Sequence, residues 1–237
     1  HIVERDPCSS KDVIAYYKCD GSFRDVCFGN NAVKYGNFPQ PHPLSGILNG
    51  AADFESSRKL RIPSLNAYKW GSKLSVSLWF QSTSRSTAGI INNGAVYTDV
   101  VRNKTKVVLG SWEMRITRGV TESNENRIGA AIVTSHSAKA WDNITTVFSN
   151  HWHHLIMVYN GKKVGFYLDS HLKFSESLHG EIVTKNSEVV IGQTKYGTNY
   201  GSYDYGGYFS GFIDEVKLFK KALNAHEVQQ LYWLKSV

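Results

Sequence analysis

Short runs in which apolar residues alternate with polar ones, or run on unbroken, recur along the chain, each closed by Gly, Asn, Asp or Ser. The clearest are Leu74–Gln81, Trp112–Thr117, Arg127–Thr134, Trp152–Tyr159, Lys163–Leu168, Glu188–Gly192 and Gly211–Phe219. A two-residue period over five to nine positions predicts β-strands. In Trp152–Tyr159 both alternating faces are largely apolar, which predicts a central strand covered on both sides. Asn160-Gly161 between two such runs is a strong hairpin signal and joins Trp152–Tyr159 to Lys163–Leu168. Only one segment reads as a helix: Asn224 stands three residues before Glu227, a capping-box-like start, and Val228, Leu231 and Tyr232 follow at helical spacing. With no Pro-rich linker to mark a boundary, the pattern predicts one all-β domain, a sandwich or jelly roll.

Composition agrees. The 237 residues include 20 Gly, 13 Tyr, 11 Phe and 6 Trp but only 2 Met, which suits strands and tight turns better than a helical bundle. Apolar residues make up 41% and charged residues 20%, enough for a core and too little charge for a disordered chain. No apolar run approaches the ~18 residues of a membrane-spanning helix. The chain opens at His1 without a signal-type apolar stretch, as a mature or trimmed form would. Cys8, Cys19 and Cys27 cluster near the start, predicting one local disulfide and one thiol left over. That thiol is either buried or a link to a second copy in a homo-oligomer. Sequons at Asn103 and Asn143 fit a secreted glycoprotein.

The order of these segments resembles the laminin-G-like family of the concanavalin A-like lectin/glucanase superfamily. The residues that carry the likeness are Val13 to Gly21, Asp25 to Asn31, Asn49 to Glu55 with Leu60 to Pro63, and Ser75 to Phe80. They continue through Asn150-His-Trp-His-His154, Tyr167-Leu-Asp169, Tyr208 to Val216 and Lys221 to Val228. The resemblance implies a jelly-roll β-sandwich with a short C-terminal helix over residues 12–235, preceded by an extension, 1–11. It departs at Ser170, where the family has Gly, and the His-x-Cys-x-Ser-Trp signature of the pentraxin branch is missing.

The same resemblance implies a structural Ca²⁺ between the opening loop and the closing strand, with Asp25, the Gly29 carbonyl, Asn30 and Asp214 as donors. Oxygen-rich sets of this kind suit calcium. Alternatively, Asp214 only caps a turn or pairs with a lysine. Catalysis is not expected: the Glu-x-Asp-x-x-Glu triplet of glucanases on this fold is missing, and the lyase-type Tyr-x-Lys-x-Gly-x-Tyr strand lacks its Lys. His153 and His154 point to opposite faces of a strand and read as core rather than as a base or zinc pair.

Two features remain for recognition. The stretch Thr194 to Gly211 carries Tyr200, Tyr203, Asp204 and Tyr205 among small polar residues, a composition of adaptable binding loops, and Trp141 is a second candidate aromatic for a sugar ring. The alternative is that these rings lie down on the sandwich edge. Arg58, Lys59 and Arg61 have the basic-basic-x-basic spacing of polyanion sites, within a chain of net charge +7; the motif is short and common, and a solvated strand edge explains it better. Lys162/Lys163 and Lys217/Lys220/Lys221 add further basic clusters. The expected function is a secreted, non-enzymatic carbohydrate-binding module whose partners are glycans, including anionic ones, or extracellular matrix components. Nucleic acid is not an expected partner, since no groove-reading motif occurs. An adhesion or matrix protein with protein partners is the alternative.

Overall fold

The computed structural model describes residues 6–33, 39–42, 46–55, 58–94, 97–101, 104–108, 110–118, 124–194 and 207–234. The strands, in chain order, begin with β1 (Val13–Tyr17), β2 (Gln40–His42), β3 (Ala51–Asp53), β4 (Leu60–Ile62), β5 (Leu74–Ser82) and β6 (Ala88–Asn93). Next come β7 (Tyr97–Val101), β8 (Lys104–Val108), β9 (Trp112–Arg118), β10 (Glu125–Val133) and β11 (Ala138–Phe148). The chain closes with β12 (Trp152–Tyr159), β13 (Lys163–Leu168), β14 (His171–Ser177), β15 (Val189–Ile191), β16 (Gly211–Phe219) and the helix α1 (Ala225–Leu234).

Two antiparallel sheets stack on one core. The larger runs β14-β13-β12-β5-β16-β3-β2, with β1 also paired to β16; the smaller runs β11-β10-β9-β6-β15-β4. The bounds of Trp152–Tyr159, Lys163–Leu168 and Gly211–Phe219 coincide with those read from the pattern. Alternation explains the packing. Val76, Leu78 and Phe80 of β5 face Trp112, Met114 and Ile116 of β9 in a single core, and all six are buried. The Asn160-Gly161 turn forms as expected: the Asn160 carboxamide oxygen accepts the Lys162 and Lys163 amides, and Gly161 takes a φ of 85°.

The helix is capped reciprocally: the Glu227 amide donates to Asn224 Oδ1 at 2.9 Å and the Asn224 amide to Glu227 Oε2 at 2.8 Å. Leu223, Val228 and Leu231 pack with Ile156 on the outer face of the larger sheet.

β16 organises the ends of the chain. Its first half pairs with β3 (Phe212 with Asp53) and its second half with β1 (Lys217 with Tyr16), both on the side away from β5. The switch falls at a bulge between Asp214 and Lys217, where Glu215 has a φ of 50°. Ahead of β1, Cys8 is disulfide-bonded to Cys27. Cys19 is free and 1% exposed, so the leftover thiol is a core group and offers no link to a second chain in this fold.

Candidate functional site

The outer face of the smaller sheet carries an unusual load of polar side chains. Leu60 and Ile62, Val189 and Ile191, and Trp112, Met114 and Ile116 point into the core, so Lys59 and Arg61, Val190, and Glu113, Arg115 and Thr117 fall on the opposite face. A band of hydrogen bonds links side chains of β6, β9 and β11 with Lys59, Gln193 and Thr194 beside the ends of β4 and β15. Lys59 Nζ donates to Gln193 Oε1 at 2.9 Å, and Asn92 Nδ2 to the Gln193 carbonyl at 2.6 Å. Thr194 Oγ1 donates to Glu113 Oε2 at 3.1 Å; Arg115 joins Glu113 at 2.8 Å to Asp142 at 2.5 Å. Glu113 is 1% exposed and Arg115 5%, whereas the Asp142 side chain is 84% exposed.

At the β4–β15 end of this band lies a cavity of about 410 Å³ with Lys59, Arg61, Asn66, Asn92, Glu188 and Gln193 among its lining residues, together with Asn186 and Ser187. Planar amides and fixed charges around a cleft of this size can bind paired hydroxyls through directed donors and acceptors. Asn66, Asn92, Asn186, Glu188 and Gln193 were not singled out from the sequence. The available signal was the Glu113-x-Arg115-x-Thr117 alternation inside a strand whose other face is core.

The basic run lies at this cavity but is already paired. Arg61 Nε and Nη2 each reach a Glu188 carboxylate oxygen at 2.6 Å, and Arg58 Nη1 lies 3.6 Å from Asp53 Oδ2. The stretch of tyrosines is rooted beside it. The Thr194 amide donates to the Gly207 carbonyl at 3.0 Å and Gly89 donates to the same oxygen at 2.8 Å. Gly89 permits this approach, since a Cβ there would lie 2.2 Å from the Thr194 nitrogen. Tyr200, Tyr203, Asp204 and Tyr205 themselves lie outside the described residues, as does the sequon at Asn103.

Trp141 lies on the opposite edge of the same sheet, in β11. Its ring meets Phe166 and Phe174 edge-on at 5.5 and 6.0 Å, and its Nε1 donates to Glu176 Oε2 at 2.6 Å, tying the two sheets together. Asn143, two residues on, is exposed.

The side chains that the resemblance implies as calcium donors, Asp25, Asn30 and Asp214, are engaged in hydrogen bonds of their own. Asp25 Oδ1 accepts the Tyr16 and Cys27 amides at 3.0 and 2.9 Å, and Oδ2 accepts those of Phe28 and Asn30 at 3.1 and 3.0 Å. The acceptor positions of the carboxylate are thus filled by amides whose positive ends face it. The Asn30 carbonyl accepts the Tyr17 hydroxyl, and its carboxamide donates to Ile14. Asp214 Oδ2 takes the Ile47 and Leu48 amides at 2.9 and 3.4 Å, and Oδ1 that of Glu215 at 2.9 Å. Burial, followed by the neighbouring Glu215 charge, pushes Asp214 up to about 8. Asp25 thus fastens the opening loop to β1, which itself pairs with β16, while Asp214 fastens residues 47 and 48 to β16. Among the described residues no group of three or more His, Cys, Asp or Glu is placed to hold a metal.

The histidines do structural work. His153 Nδ1 lies 2.8 Å from Asp169 Oδ2, and His154 Nε2 lies 2.9 Å from Ser77 Oγ with its ring stacked on Trp79 at 4.8 Å. Burial, reinforced by Lys217, drives His154 down to about 3, with Asp169 acting the other way. Burial works to raise Asp169, but the bonds from His153 and the His154 amide prevail and hold it below the usual carboxylate range.

A family model described as the concanavalin A-like lectin/glucanases superfamily, of laminin G type, matches residues 54–229. The chain belongs to this superfamily. No curated protein sequence matches it. Solved structures of similar fold include domain 4 of AbnA, an extracellular arabinanase from Geobacillus stearothermophilus, in complex with arabinotriose. It has 18% identity and a TM-score of 0.64, with 93% of this chain and 98% of that one covered. The receptor-binding domain of botulinum neurotoxin type G follows at 14% identity and a TM-score of 0.61, covering 94% of this chain. The binding domain of Paraclostridial Mosquitocidal Protein 1 matches at 14% and 0.60 over 93% of this chain. This chain spans about half of each toxin domain, 51% and 52%. At these identities the likeness shows the jelly-roll fold alone. Among the described residues no helix of this superfamily member is long and apolar enough to cross a membrane.

Proposed function

We propose that this protein is a secreted, non-enzymatic carbohydrate-binding module whose ligand lies on the outer face of the smaller sheet. The observation that carries the reading is the amide- and charge-lined cavity between β4, β6 and β15, with the root of the tyrosine-bearing stretch beside it. In this reading Asn66, Asn186 and Gln193 bond sugar hydroxyls, and Lys59 and Arg61 favour rings that carry an acidic group. Tyr200, Tyr203 and Tyr205 supply flat apolar faces for the C–H side of the sugar, with Asp204 bonding hydroxyls beside them. Trp141, committed to Phe166, Phe174 and Glu176, keeps the sheet edge closed and takes no part. The arabinotriose complex of the arabinanase domain supports a sugar as the ligand class, and the Cys8–Cys27 disulfide supports an oxidising compartment.

The test is a glycan array probed with wild type and with the Asn66→Ala/Asn186→Ala double variant, both residues being exposed. The reading expects a wild-type signal that falls at least ~10-fold in the variant, the loss of one or two net hydrogen bonds. An array on which wild type binds nothing, or a signal the variant leaves intact, contradicts it.

A further inference from the structure

Lysines far apart in sequence converge on one end of the larger sheet. In the order β13-β12-β5-β16, the register pairs Val164 with Tyr159, Tyr159 with Leu74, and Ser75 with Phe219. Immediately beyond these pairs, at the same end, stand Lys163, Lys73 and Lys220, with Lys162 in the β12–β13 turn. All four are exposed. Neighbouring strands lie about 4.8 Å apart, so the row spans roughly 14 Å from β13 to β16. Its backbone is firmly held: the Gly180 amide donates to the Gly161 carbonyl, Leu178 to Lys162, and Lys220 to Asp12.

These ammonium groups differ from the basic run on β4. Arg58 and Arg61 are ion-paired, and Lys221, next in the row, is held by Glu227. Among the described residues no ion pair or side-chain hydrogen bond ties up Lys73, Lys162, Lys163 or Lys220. The acidic groups that adjoining segments bring to this end include Asp12, half-buried, Glu181, exposed, and Glu176, which stands opposite Val164 in β14 and is ion-paired with Lys139.

We propose that this row is a binding surface for a sulfated polysaccharide, separate from the polar cavity of the smaller sheet. A row of point charges along strand ends fits a linear polyanion. A nucleic acid strand would call for aromatic stacking platforms among the cations; the half-buried ring next to the row, Phe219, is instead packed against the Ile156, Leu223, Val228 and Leu231 cluster. A lipid surface would call for apolar side chains to insert. The exposed large apolar residues among those described (Val26, Phe28, Val33, Phe148, Leu172 and Trp233) belong to other segments. The Cys8–Cys27 disulfide favours an oxidising compartment, the kind in which sulfated polysaccharides occur.

The experiment is the salt dependence of binding to immobilised heparin for three proteins. These are wild type, Lys73→Ser/Lys162→Ser/Lys163→Ser/Lys220→Ser, and a control of equal charge loss, Lys18→Ser/Arg24→Ser/Arg85→Ser/Lys173→Ser, whose positions are all exposed. Fully desulfated heparin, duplex DNA and phosphatidylserine vesicles serve as comparison ligands. Expected are at least ~10-fold weaker heparin binding for the row variant and a log-affinity against log-salt slope shallower by about 1 per lysine removed. The control should stay near wild type, and the comparison ligands should bind poorly. Equal losses in the two variants would reduce the effect to net charge and overturn the proposal. So would DNA or vesicle binding as strong as heparin with the same dependence on the row. Because the row variant leaves Asn66 and Asn186 intact, its behaviour on the glycan array separates this surface from the cavity.

Discussion

Arg61 grips both carboxylate oxygens of Glu188 at 2.6 Å, across the pairing of β4 with β15. A basic run that reads as a polyanion motif in sequence is therefore part of a partly exposed ion pair at the wall of the polar cavity. Replacing Glu188 with Gln should cost ~0.5–1 kcal/mol in a denaturant melt, in the range of a well-formed surface pair, and should strengthen binding of acidic oligosaccharides by removing a negative charge from the cavity wall. Weaker binding of acidic sugars in that variant would make Glu188 a direct sugar contact.

Asp25 holds the opening loop through four backbone amides. Asp25→Ala should lower stability by about 2–4 kcal/mol, since amides bound to a charged acceptor are left without partners. The same geometry predicts that a calcium chelator leaves the melting temperature unchanged. A chelator-dependent fall would show that a bound cation stabilises the native state.

Ser170 occupies a left-handed backbone position with a φ of 69°, following Asp169 at 49° in the β13–β14 turn. A side chain is strained in that region, where Gly is not. Ser170→Gly should raise stability by ~1 kcal/mol, measured as a shift of the denaturant midpoint without a change in slope. No gain would indicate a compensating contact from the Ser170 hydroxyl.

His154 titrates at about 3 in the fold because burial disfavours its charged form. The unfolded chain takes up this proton below its ordinary value near 6.5, so the His154 contribution to stability falls as the pH drops below 6.5. Asp214 and Glu215, both raised by burial, act in the opposite direction, so the readout is a difference. Relative to wild type, His154→Gln should gain ~2 kcal/mol on going from pH 7 to pH 5. A pH-independent difference would place the titration elsewhere.

Much of the fold can be read from the chain because β-strands buried on one face announce themselves by period. Trp152–Tyr159, the Asn160-Gly161 hairpin, the Asn224–Glu227 cap and the closing strand Gly211–Phe219 all carry their local chemistry in adjacent residues. The longest strand, Ala138–Phe148, did not: it lies on a sheet edge with most side chains exposed, so its sequence shows no alternation. Trp141 consequently reads from sequence as a candidate aromatic for a sugar ring. The polar cavity was hidden for a different reason. Its residues come from β4, the turn after it, β6 and β15, and only the sheet order brings Asn66, Asn92, Asn186 and Gln193 together. The N-terminal disulfide was half readable: three cysteines imply one bond, but only the burial of Cys19 decides which pair forms.

The most direct test of a sugar site on the smaller sheet is an NMR titration that follows backbone amides as a glycan is added, beginning with arabinotriose and the strongest array ligands. The account predicts shift changes concentrated at Lys59 to Ile62, Asn66, Asn92, Asn186 to Glu188 and Gln193, with the Trp79–His154 side of the larger sheet unmoved. Shifts centred on the larger sheet, or on Trp141 alone, would contradict it.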